Sequence, residues 1–73
     1  GSLRIDFALG SAGFTTLKVY DLSGRLVETL VSGGHTSGVH SLTWQADGLP
    51  SGLYVLKLEC GRRSATEKVL IVR

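Results

Sequence analysis

The sequence predicts an all-β fold: one small antiparallel β-sandwich of six to seven strands. Three observations carry this. Apolar and polar residues alternate with period two in one segment after another, the spacing of a strand with one buried face. Ten glycines against a single proline supply the many turns such a domain needs. No segment sustains a helical period.

Length and composition set the scale. A chain of 73 residues is at most one domain, and a domain this small buries only about 60% of its unfolded surface, so its core is thin. Hydrophobic residues make up 42% and charged residues 19%, which places the chain among globular rather than disordered sequences. Gly1-Ser2 and the lack of any methionine read as a protease-cleavage scar from expression on a piece of a larger protein. The expected domain therefore spans residues 3–73.

The strands follow in order. Leu3, Ile5, Phe7 and Leu9 share one face of the first, with Arg4, Asp6 and Ala8 on the other, until Gly10-Ser11-Ala12-Gly13 breaks it. The second runs from Phe14 to Leu22, with Leu17 and Val19 opposite Thr16, Lys18 and Tyr20. Asp21-Leu22-Ser23-Gly24 has Asp first and Gly fourth, the type I turn preference, and Asp21 is expected to accept a turn N–H. Arg25 to Val31 returns as the third strand. Ser32 to Gly38 is expected to be a flexible loop with a solvated His35, or to add a seventh short strand near Gly33–Thr36. Val39 to Trp44 is next, with His40, Leu42 and Trp44 on one face. Trp44 is expected to anchor the core with its indole N–H on a carbonyl. Asp47-Gly48 and Pro50-Ser51-Gly52 punctuate the approach to Leu53–Cys60, where Tyr54, Leu56, Leu58 and Cys60 share a face and Tyr54 joins the core. After Gly61-Arg62-Arg63, Ala65 to Arg73 forms the last strand. Its continuous Val69–Val72 run predicts cover on both faces.

Several function classes fall away. A net charge of +2 with scattered Lys and Arg does not make a nucleic-acid surface, and the Arg62-Arg63 pair is a hairpin tip. No apolar run approaches the roughly 18 residues of a membrane span. Cys60 is the single cysteine, so no internal disulfide forms, and it reads as a small half-buried hydrophobe. No paired carboxylates, metal-ligand cluster or phosphate-binding glycine motif is present, so no catalytic residue, metal or cofactor is expected. Asp21, Ser23 and His35 do not space as a triad, and the chain is too short to shield one.

The ordered segments Tyr20-Asp21…Gly24-Arg25-Leu26-Val27, Gly38-Val39-His40-Ser41-Leu42-Thr43-Trp44, Pro50-Ser51-Gly52-Leu53-Tyr54 and Lys68-Val69-Leu70-Ile71-Val72-Arg73 resemble the type A C-terminal sorting domain of type IX secretion cargo. The turn and the Trp strand are also similar to the Ig-like domain of the flagellar hook-capping protein. Gln45-Ala46 precedes Asp47-Gly48 here, where that second family has Asp-Gly directly after the Trp. Gly10 stands where the sorting family often has Pro.

The resemblance implies an Ig-like sandwich that acts as a secretion address. It implies an outer-membrane translocon and a sortase-like peptidase as partners, passage through the periplasm, and a secreted or surface-attached cargo. Recognition would fall on Lys68, Val69, Leu70, Ile71, Val72 and Arg73, together with Gly24, Arg25, Ser51 and Gly52. The glycines have an equally direct explanation as positive-φ turn residues. An uncapped edge at Leu70–Val72 would also allow weak pairing with a second copy. The other readings are a carbohydrate-binding module using Trp44 with Tyr20 or Tyr54, and a passive spacer within an extracellular enzyme.

Overall fold

A computed structural model of the chain describes residues 2–72; Gly1 of the expected scar and Arg73 of the expected recognition strand lie outside the described residues. Six strands form: β1 (Ser2–Leu9), β2 (Gly13–Asp21), β3 (Leu26–His35), β4 (Gly38–Gln45), β5 (Gly52–Cys60) and β6 (Arg63–Ile71). All pair antiparallel, in a two-stranded sheet β1-β4 and a four-stranded sheet ordered β3-β2-β5-β6. The architecture is the Ig-like β-sandwich that the alternation and turn grammar predict.

Period-two alternation translates directly into burial. Thr15, Leu17 and Val19 of β2 point inward and are buried, as do Tyr54 and Leu56 of β5. Leu17, Val19, Tyr54 and Leu56 meet Ile5, Trp44, Ala46 and Ile71 in one apolar cluster. Val19 is 0% and Trp44 2% exposed. β4 lies toward β3, where the Trp44 Nε1–H donates to Glu28 Oε1 at 3.3 Å. The expected indole partner was a carbonyl; a carboxylate takes the proton instead. β1 lies toward β5 and β6, where Ile5 and Phe7 line a 210 Å³ cleft with Leu56, Leu58 and Ala65.

Polar groups in the packed region are satisfied. The Thr15 hydroxyl, fully buried, donates to the Gly13 carbonyl at 3.2 Å. The Tyr54 hydroxyl donates to the Pro50 carbonyl four residues upstream, at 2.7 Å. This is the backward tyrosine bond common in sandwiches of this type, and it pins the approach into β5. On the outer face of the small sheet Ser41 Oγ donates to Asp6 Oδ1 at 2.5 Å, tying β4 to β1.

Three expectations need correction. Ser32–His35 is strand rather than flexible loop, leaving Thr36 and Ser37 as the connection to β4, and the region near Gly33–Thr36 is not a separate strand. β3 continues to His35 because β2 extends to Gly13 and pairs with it through Thr16↔Ser32, Thr15↔Gly33, Phe14↔Gly34 and Gly13↔His35. Backbone hydrogen bonding orders a segment whose side chains carry no strand signal. His35 is accordingly half-buried rather than solvated, its ring 5.2 Å from that of His40 and 6.3 Å from that of Phe7. Finally, β6 is not covered on both faces. Leu70 is 65% exposed and Val72, just beyond β6, 76%, because β6 is the outer strand of its sheet and within this run Val69 and Ile71 alone turn toward the core.

The thin core makes single deletions costly. Leu17→Ala is expected to lower unfolding free energy by about 2–5 kcal/mol. Tyr54→Phe should cost only about 1 kcal/mol, because Pro50 is exposed and water can take the freed carbonyl. Urea unfolding of both variants checks the ranking; a Tyr54→Phe loss equal to that of Leu17→Ala would contradict it.

Candidate functional site

The residues singled out for recognition gather at one end of the four-stranded sheet. Asp21 of β2 stands opposite Tyr54 of β5, Gly52 opposite Ile71, and Leu53 opposite Leu70. The β2–β3 turn, the Pro50–Gly52 segment and the Lys68–Val72 stretch therefore share that end, although they are far apart in sequence. An open cleft of 380 Å³ lies between the turn and the approach to β5, lined by Asp21, Arg25, Leu26, Val27, Leu49, Pro50 and Tyr54.

The turn is built by Asp21. Gly24 N–H donates to the Asp21 carbonyl at 3.0 Å, which closes the type I turn, and Asp21 N–H donates to the Arg25 carbonyl at 3.0 Å. Gly24 sits at φ +89°, so the turn ends in the left-handed residue that lets a hairpin keep its twist. The Asp21 carboxylate accepts the N–H groups of Ser23 and Arg25 at 3.0 Å each and the Ser23 hydroxyl at 2.6 Å. Arg25 Nε lies 3.3 Å from its other oxygen. The Ser23 hydroxyl bond, then the Arg25 amide, hold this carboxyl below the ordinary aspartate range. Asp6 is held low in the same sense, by Ser41 first and Arg4 second. Asp21 thus has a structural role, while the Arg25 side chain remains 82% exposed and able to meet a partner.

The other positions divide by face. Lys68, Leu70 and Val72 are exposed, whereas Val69 is half-buried and Ile71 is core. Gly52 begins β5 at a positive φ of 158°, and Ser51 is exposed beside it. Arg73 lies outside the described residues. Trp44 and Tyr54 belong to the core cluster, so neither offers a ring face to a sugar. Among the described residues no three His, Cys, Asp or Glu side chains converge as metal ligands, and no helix is long and apolar enough to cross a membrane. Sequence reasoning passed over Lys18 and Lys57. Alternation places both outward, but only the strand register sets them opposite each other.

The sequence profile of the FlgD Ig-like domain matches residues 2–64. The chain belongs to the FlgD Ig-like domain family. The match covers β1 to β5 and the first two residues of β6, so most of β6 lies beyond it. No curated protein matches the chain, and neither does any solved structure.

Two outcomes test this description of the FlgD Ig-like chain. The folded-state carboxyl of Asp21 is depressed, so its stabilising effect is complete above the unfolded aspartate value of about 3.9 and is lost as pH falls through the folded one. Asp21→Asn should therefore lower Tm at pH 7 and flatten the Tm decline on acidification. An unchanged acid profile would refute the assignment. Separately, Trp44 emission should resist acrylamide quenching until the domain unfolds; ready quenching of the native state would place the indole at the surface.

Proposed function

We propose that this domain is the C-terminal sorting module of a type IX secretion cargo, with the outer-membrane translocon and a sortase-like peptidase as its partners. In this role it passes through the periplasm and directs the attached protein to the outside or to the cell surface. The observation that supports the reading best is β6. It runs past the part of the chain matched by the family profile, as the outer strand of its sheet. Leu70 of β6 and Val72 just beyond it are exposed. The motif residues of the β2–β3 turn and the β5 approach lie at the same end of the sheet.

The physics of recognition follows from an open sheet edge. β6 pairs only with β5 among the described strands, so its other edge can accept a strand from a partner by main-chain hydrogen bonding. Lys68 and Arg73 would steer that edge toward an acidic surface. Gly24 and Gly52 would act by shaping the backbone, and Arg25 and Ser51 by contact.

A periplasm-directed reporter fused to the domain, in a type IX-competent host, tests the reading. Removing residues 68–73 should retain the reporter inside the cell. Because that deletion also removes buried Ile71, Leu70→Asp on the exposed face serves as a second variant that leaves the core intact. Undiminished surface display of both would sink the proposal.

A further inference from the structure

The outer face of the four-stranded sheet is the least expected surface of this molecule. The buried residues of β2 and β5, with Ile71 of β6, mark the inward face, so by alternation Tyr20, Lys18, Val55, Lys57, Leu70 and Lys68 all turn outward. Register then places them in two adjoining bands. In the first, Tyr20 stands between Leu26 and Val55, and Leu53 stands opposite Leu70. Leu26, Leu53 and Leu70 are exposed there. In the second, Lys18 stands directly opposite Lys57, and Lys68, opposite Val55, is the diagonal neighbour of Lys57.

The lysine band costs stability. Like charges directly opposite on neighbouring strands are destabilising. None of the three lysines forms an ion pair among the described residues, and Glu59, two positions from Lys57 on the same face, forms none either. An apolar band beside cations without an ion-pair partner among the described residues is an incomplete surface, and its charge specifies what completes it.

We propose that this face docks an acidic segment of a partner protein, with apolar side chains seated on the Tyr20–Val55–Leu53–Leu70 band and carboxylates on Lys18, Lys57 and Lys68. The proposal stands on the sheet face alone and does not rest on the sorting reading. A second copy of the chain would bring the same three lysines into opposition. A bilayer would require apolar groups that project past the charges. Side chains stand perpendicular to a sheet, so the longer Lys18, Lys57 and Lys68 side chains project past Leu53, Val55 and Leu70.

The test is an NMR titration of the ¹⁵N-labelled domain with a synthetic peptide of alternating Leu and Glu. Two controls are the same peptide with Lys in place of Glu and vesicles of phosphatidylglycerol and phosphatidylcholine. The acidic peptide should shift the amides of Lys18, Val55, Lys57 and Leu70. The triple variant Lys18→Gln/Lys57→Gln/Lys68→Gln should weaken binding about tenfold, and added salt should weaken it in the parent. The variant should hold or raise Tm, because the cross-strand repulsion is relieved. Equal binding of the basic peptide, shifts on this face from vesicles alone, or full binding by the triple variant would each overturn the proposal.

Discussion

Everything in this sandwich depends on the pairing of β2 with β5. These two strands form the middle of the four-stranded sheet, in unbroken register from Thr15↔Cys60 to Asp21↔Tyr54. Their inward faces supply the buried Thr15 and, with Leu17, Val19, Tyr54 and Leu56, half of the buried apolar cluster that includes Trp44. With about 60% of the unfolded surface buried at this size, no other element could replace that contribution. The same register that stacks the core inside also opposes Lys18 to Lys57 outside. Core and candidate surface are two faces of one pairing.

Side-chain alternation made the inward and outward residues of β1, β2, β4 and β5 legible, because period two is fixed by strand geometry and needs no knowledge of partners. The β2–β3 turn was equally legible, since Asp21 and Gly24 act locally. What could not be read were properties of sheet order. Val69–Val72 has the composition of a buried strand, yet its place at the edge exposes Leu70 and Val72. Ser32–His35 has the composition of a loop, yet its neighbour β2 is long enough to pair with it. Likewise the lysine band comes from a register that brings Lys18 against Lys57, about half of the chain away. The sequence named the candidate residues at Gly24, Arg25, Ser51, Gly52 and Lys68–Arg73 by motif, but their common location follows only from the pairing of β5 with both β2 and β6.

The two sheets are joined unevenly. The small sheet consists of β1 and β4 alone, held by their mutual ladder, the Asp6–Ser41 bond and the wedge of Trp44 between the layers. The large sheet is built around two local hairpins, β2–β3 and β5–β6, docked along β2 and β5.

This asymmetry has a kinetic consequence. Hairpin contacts close short loops, whereas the β1–β4 and β2–β5 ladders both join strands far apart in sequence and pay the larger closure entropy. The small sheet contains no hairpin of its own, so its opening would expose Trp44 and the floor of the large sheet while both hairpins persist. Amide exchange faster in β1 than in β5 would be the mark of that opening.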